Sequence, residues 1–185
     1  MPAGVQQVRV LAIGGGGGGQ KGDKCGARSG HLNSTTLPVQ AGTNYRIKVG
    51  NGGPPGRDGG ESKINDTLTA AGGKSDTAWE CYEFEHPDDG NWTLILSIIK
   101  NQNISEGPPG NRNGRGAGGP GGGGILINGK GPQAEFLNDD NTTLIGRGGH
   151  GYGAGAGASG PRKDAYGNHY IGGTGLSGLV YIEWD

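Results

Sequence analysis

Hydrophobic positions in this chain come in short runs, and most are too short for a helix. Across residues 5–13 apolar and polar side chains alternate as in a strand, with Val8, Val10 and Ala12 on one face. Six glycines follow without a break from Gly14. Leu32 opens a second extended region, and Leu37-Pro38-Val39 marks an edge, because proline cannot donate to a ladder. Residues 45–49 (Tyr-Arg-Ile-Lys-Val) alternate as a half-buried strand. Residues 62–65 and 68–71 predict two short strands around a turn at Asn65-Asp66. Ile125-Leu126-Ile127, Phe136-Leu137 and the closing residues 178–184 predict three more. No stretch supports a helix of ten or more residues.

Residues 79–100 break this grammar. They hold Trp79, Tyr82, Phe84, His86 and Trp92, then the apolar run Leu94-Ile95-Leu96-Ser97-Ile98-Ile99. His86-Pro87-Asp88-Asp89-Gly90-Asn91 is strong turn chemistry. The pattern predicts a β-hairpin with a long loop, inserted over residues 74–107. A helix at 94–100 is the rival, and it is weakened by β-branched residues and the lack of a cap.

Composition changes the picture. The chain has 185 residues, of which 45 are glycine and 10 proline, while hydrophobic residues make up only 30%. An ordinary apolar core would be thin, and a glycine–proline share this high is the mark of low-complexity chains. Four glycine-dense tracts alternate with the strands, at residues 14–30, 50–60, 107–124 and 146–160. Ordering one residue costs on the order of 1–2 kcal/mol, and one backbone hydrogen bond returns about 0.5–1.5 kcal/mol net. A single ordered glycine strand is therefore unfavourable. A bundle is different, because a polyproline-II-like chain has no internal hydrogen bonds and offers every N–H and C=O sideways. The fold class that follows is mainly β: one domain over residues 1–185, with short antiparallel strands, sandwich-like, framing a bundle of polyglycine-II helices and no significant α-helix. The tracts lack the three-residue glycine period of collagen.

Net charge is −1, which gives no electrostatic footprint for nucleic acid or for a membrane surface. No run approaches the ~20 apolar residues of a membrane-spanning helix. The first residues, Met1-Pro2-Ala3-Gly4-Val5-Gln6, lack the basic and apolar segments of a leader. Gly14, Gly16 and Gly19 spell a dinucleotide fingerprint, but no helical pattern follows to hold a pyrophosphate. The stretch from Gly124 to Lys130 looks like a phosphate loop, yet Gly131 stands where a Ser or Thr must bind magnesium. His31, His86, His150 and His169 have no zinc-site spacing. Asp88-Asp89 and Asp139-Asp140 read as solvated turns before calcium ligands. With no nucleophile–base pair either, the sequence points to a non-enzyme without cofactor or metal.

Cys25 and Cys81 allow one disulfide, worth roughly 4 kcal/mol in the chain-entropy model, or two free thiols. Glycosylation sequons stand at Asn33, Asn65, Asn91, Asn103 and Asn141. Composition alone predicts about one or two, so the excess favours an extracellular context.

Taken together, VRVLAIGGGGGG, LPVQAGTNYRIKVGNGG, GGESKINDTLTAAGG and GLSGLVYIEW resemble the glycine-rich domain of bacteriophage tail-fibre and other virion proteins. The resemblance covers about residues 5–72 and 110–184 and leaves out residues 79–100. The glycine-rich tips of T-even-like phage adhesins, which pack polyglycine helices under variable receptor-touching loops, are similar. So, more distantly, is the glycine-rich extracellular domain of the anaplastic lymphoma kinase receptor. The resemblance implies a non-enzymatic virion structural or attachment protein that assembles with copies of itself or other subunits and contacts a host-surface glycan or protein. Candidate contacts are Tyr82, Phe84, His86 and Trp92 in the insertion, and Tyr152, Tyr166, His169 and Tyr170 in the late loop, since loop aromatics are good anchors. Packing against the sheet is the competing role for each. An N-glycosylated extracellular structural protein, such as a surface filament subunit, is the alternative function, and an ice-binding protein is a third. The expected location is virion or extracellular.

Overall fold

The computed structural model describes residues 3–20, 26–75, 96–110, 122–133, 148–158 and 172–185. It is mainly β, built from short antiparallel strands in small sheets. In chain order these are β1 (Gln7–Ile13), β2 (Leu32–Pro38), β3 (Ile47–Lys48), β4 (Ser62–Ile64), β5 (Leu68–Ala70), β6 (Ile104–Glu106), β7 (Ile125–Ile127) and β8 (Leu179–Glu183). The sheets run β2-β1-β8, β3-β4-β5 and β6-β7. Among the described residues no helix is long and apolar enough to cross a membrane.

The central strand β1 is buried on both faces, which sets the layering. Val8, Val10 and Ala12 lie together as the alternation predicts, packed with Leu37, Ile64, Leu68 and Ala70 between the first two sheets. The opposite face, Leu11 and Ile13, packs with Leu32, Ile99 and Ile125 in a second core. Each buried Val, Leu or Ile side chain among them stabilises by about 1.5–3 kcal/mol. The antiparallel register of β1 with β2 sets Gln7 opposite Pro38 and Ile13 opposite Leu32. Pro38 thus falls at the end of an outermost strand, where its missing N–H costs no ladder bond.

One expectation changes, and two others fall mostly or wholly outside the described residues. Residues 45–49 do not form a half-buried strand. Only Ile47–Lys48 is strand, and Ile47 and Val49 are 48% and 45% exposed, because β3 is the outermost strand of its sheet and no layer among the described residues covers it. Ile47 pairs with buried Ile64 and so faces inward, but at an open rim. The favoured hairpin over 74–107 lies mostly outside the described residues. Its last part holds a helical turn at 96–97, with the Ile99 N–H donating to the Leu96 carbonyl at 3.2 Å, and then β6, a strand the pattern did not predict. Strand β6 pairs with β7, from Ile104 opposite Ile127 to Glu106 opposite Ile125. The predicted strand at Phe136-Leu137 lies outside the described residues.

The phosphate-loop look-alike is a hairpin. Asn128 and Gly129 both have positive φ, at 52° and 70°. Ile127 and Lys130 exchange both backbone hydrogen bonds, at 2.9 and 3.0 Å, which is the two-residue turn that Asn-Gly favours.

Candidate functional site

From the end of β1 the chain continues as Gly14 to Gly19, and every N–H in that run is taken by another segment. Gly14 and Gly17 donate to the carbonyls of His31 and Arg28, Gly15 and Gly18 to Gly60 and Arg57, Gly16 and Gly19 to Leu176 and Gly173, all at 2.9–3.0 Å. Partners repeat every three residues, the turn of a polyproline-II-type chain. The carbonyls point elsewhere. Gly15 accepts from Gly73, Gly16 from Gly53, Gly17 from Ala156 and Gly19 from Gly56. Six segments therefore surround residues 14–19, three accepting from it and three donating to it.

The six also bond to one another in a closed ring. Segment 27–31 donates to 71–74 (Arg28 to Lys74, His31 to Ala71) and to 153–156 (Ala27 to Ala156, Gly30 to Gly153). Gly59 donates to Gly73, and segment 57–60 joins 51–54 through Arg57 to Pro54 and Gly60 to Asn51. Gly175 and Gly178 donate to Gly53 and Gly50, and Gly173 and Leu176 close the circle on Gly157 and Ala154. Paired residue numbers run in opposite directions between ring neighbours wherever two bonds are present, so adjacent segments are antiparallel.

Glycine is required here for space. None of residues 14–19 has positive φ, so an L-residue could adopt their backbone. A Cβ on Gly14, Gly16, Gly18 or Gly19, however, would lie 1.9 Å from a backbone carbonyl oxygen of a neighbouring segment. Gly15 and Gly17 leave 2.1 and 2.5 Å.

A family model described as a glycine-rich domain matches residues 1–185. The chain belongs to the glycine-rich domain family. No curated protein matches it. In this glycine-rich domain the strands and the lattice are joined by Ser62 of β4, whose buried hydroxyl donates to the Ile13 carbonyl at 2.5 Å and accepts from the Gly50 N–H at 2.8 Å.

At the far end of the lattice, away from the strands, the chain is tied by polar contacts. Lys74 Nζ meets Asp58 Oδ2 at 2.7 Å, the Ser75 N–H donates to Asp58 Oδ1 at 2.8 Å, and Gln20 Nε2 donates to Ser75 Oγ at 3.4 Å. Lys74 and then the Ser75 N–H hold the Asp58 carboxyl below the usual aspartate range. Nearer the strands, Lys63 and Lys48 flank Glu61 at 3.1 and 3.2 Å and hold it down likewise.

A second charged group locks the outer end of the central sheet. Arg9 Nε meets Glu183 Oε1 at 2.6 Å across the β1–β8 pair, and the rest of the guanidinium clasps Asp185. Burial pushes the Glu183 carboxyl up, but the Lys100 N–H, Arg9 and the Asn101 N–H more than offset it, and the net direction is downward. Its contribution to stability is therefore present above the ordinary glutamate value of 4.5 and is lost as pH falls through the lower folded value. Chemical denaturation between pH 3 and pH 7 should show stability falling on the acid side, with a shallower fall in Glu183→Gln. Equal slopes in both proteins would remove this group from the account.

The candidate residues fall unevenly. Tyr152 is half-buried against the second core and exchanges two backbone bonds with Ile125, at 2.8 and 3.0 Å. Tyr82, Phe84, His86, Trp92, Tyr166, His169 and Tyr170 lie outside the described residues, as do Cys25, Cys81, Asn91 and Asn141. Of the remaining sequons, Asn33 is exposed on β2 and donates to the Thr69 carbonyl at 3.0 Å. Asn65 is half-buried at a φ of 45° and accepts from the Arg46 N–H at 2.8 Å. Asn103 is exposed, and its N–H donates to Asn128 Oδ1 at 2.9 Å. Among the described residues no three His, Cys, Asp or Glu side chains converge as a metal set. The feature that sequence reasoning missed is the ring itself: residues 72–73 and 173–178 belong to the lattice as fully as the described parts of tracts 14–30, 50–60 and 146–160 do.

Proposed function

We propose that this glycine-rich domain is a non-enzymatic attachment or structural module of a virion, with its lattice of polyglycine-II helices acting as a stiff shaft. The observation that carries the reading is the ring of six segments around residues 14–19, which holds the chain by sideways hydrogen bonds with no room for a side chain. At polyproline-II rise, ~3.1 Å per residue, the shaft extends roughly 16 Å beyond the strands. Gln20, Ser75, Ala158 and Gly172 sit at its far end, and the segments that follow or precede them, 21–25, 76–95 and 159–171, carry the candidate aromatics Tyr82, Phe84, His86, Trp92, Tyr166, His169 and Tyr170. A stiff support reduces the entropy lost when anchors of this kind engage a glycan or protein on a host surface.

The test is where native material resides. Antibodies to the protein should label phage particles by immuno-electron microscopy, and peptides spanning Asn33, Asn65, Asn91, Asn103 and Asn141 should carry no hexose increments by mass spectrometry. Excess soluble protein should block particle adsorption, and Trp92→Ala should block it less while keeping its melting temperature. Hexose on the asparagines would contradict the virion reading. It would support the second one, a glycosylated extracellular structural protein, which draws on the exposure of Asn33 and Asn103.

A further inference from the structure

The ring segments carry larger residues at every third position, and those residues face out. The pairs are Arg28 and His31, Asn51 and Pro54, Asp58 and Glu61, Ala71 and Lys74, Thr174 and Ser177. Arg28, Asn51, Pro54, Asp58, Ala71, Lys74, Thr174 and Ser177 are exposed, and His31 and Glu61 are half-buried. Glycines between them face neighbours: a Cβ on Gly30 would meet Gly14, on Gly52 Gly175, on Gly59 Gly15, and on Gly175 Gly16, each within 2.1 Å of a backbone oxygen.

The sixth segment is the internal control. Residues 153–158 alternate glycine and alanine, and all six are buried. There, and at the adjoining Ala27 of segment 27–31, the lattice among the described residues continues into a second layer. Gly155 donates to Gly122, Gly149 donates to Gly155, and Gly122 donates to Ala27, at 3.0, 3.0 and 3.1 Å. A further segment lies against the glycine–alanine run 153–158, and the outward residues of the other segments, of which Ala71 is the smallest, are exposed or half-buried.

We infer that the side chains at every third position of five ring segments close the lattice, so that copies of this chain do not join through their glycine segments. Removing the side chains from one face opens a docking surface for a second copy. The reason is spacing. Segments of this lattice sit so close that a Cβ between two of them would overlap a carbonyl oxygen, so one outward side chain every third residue holds a second copy beyond hydrogen-bond reach. Exposed N–H and C=O groups otherwise act as a template for association, as at sheet edges. The inference stands independently of what the far end binds. It requires any assembly with copies of the chain to use other surfaces.

The adjoining segments 50–54 and 173–178 offer the test. The variant Asn51→Gly/Pro54→Gly/Thr174→Gly/Ser177→Gly should associate with rising concentration and at least double its mass by sedimentation equilibrium, under conditions where the parent's mass is constant. If this variant does not fold, Thr174→Gly/Ser177→Gly reads the same face. Thr174→Leu/Ser177→Leu should fold and keep the parent's mass. A folded glycine variant with the parent's mass overturns the inference, and so does loss of folding in the leucine variant.

Discussion

Replacing Gly16 with alanine should unfold the protein or lower its melting temperature by roughly 6–12 °C, the shift for about 3 kcal/mol in a chain of this size. The added Cβ would sit 1.9 Å from the Ala154 carbonyl oxygen and 2.7 Å from that of Gly153, and both oxygens belong to backbone that the ring holds on every side. Backbone strain is not the cause, because Gly16 has no positive φ. Gly173→Ala is the matched control. It lies in the same lattice, yet its Cβ would meet nothing closer than the Ala156 methyl at 3.4 Å, with Gly157 backbone atoms at 3.7 and 3.9 Å, all ordinary contacts, so its melting temperature should stay within about 2 °C of the parent's. Gly122→Ala should fall between the two, since its nearest neighbours are the Ser29 hydroxyl at 2.9 Å, which can turn away, and the Ser29 backbone nitrogen at 3.1 Å, which needs a shift of only a few tenths of an ångström. Thermal scans of the three variants check the order, and equal melting of Gly16→Ala and Gly173→Ala would contradict the packing argument.

Ser62→Ala should cost about 2–4 kcal/mol, or roughly 5–15 °C of melting temperature, although it removes a single oxygen. The hydroxyl is fully buried and bridges the Ile13 carbonyl to the Gly50 N–H. Without it the Gly50 N–H loses its acceptor and the Ile13 carbonyl, which also faces β8 in the ladder, loses one donor, at the point where the strand layers pass into the lattice. Alanine keeps the Cβ and introduces no bulk, so the loss measures the bridge. A shift under about 2 °C would mean that water or a rearranged backbone replaces it.

Much of this was legible in the sequence, for physical reasons that also mark where legibility stops. Alternation placed β1 and its first face correctly, because Val8, Val10 and Ala12 can reach the core only at period two. It could not show that Leu11 and Ile13 are buried as well, since a strand covered on both faces reads as a continuous apolar run. It overrated residues 45–49 because alternation reports which way side chains face and does not report whether a layer covers them. Strand β6 was invisible because Ile-Ser-Glu carries almost no pattern, and its partner β7 decides it. Glycine density signalled that tracts pack together, although the glycines themselves keep no three-residue period. The informative period lay in the exceptions: 28 and 31, 51 and 54, 58 and 61, 71 and 74, 174 and 177. Those spacings report which side of each segment faces water. Function was less legible, since aromatics in predicted loops carry the same signal whether they pack or bind.

The central claim is that residues 14–19 form the hydrogen-bonded axis of the molecule. Native-state hydrogen exchange resolved at those six glycine amides tests it most directly. They should be protected to the same degree as the amides of Val10 and Ala12 in β1 and should open only with the whole protein. Exchange at the rate of an unstructured peptide there, while β1 stays protected, would contradict it.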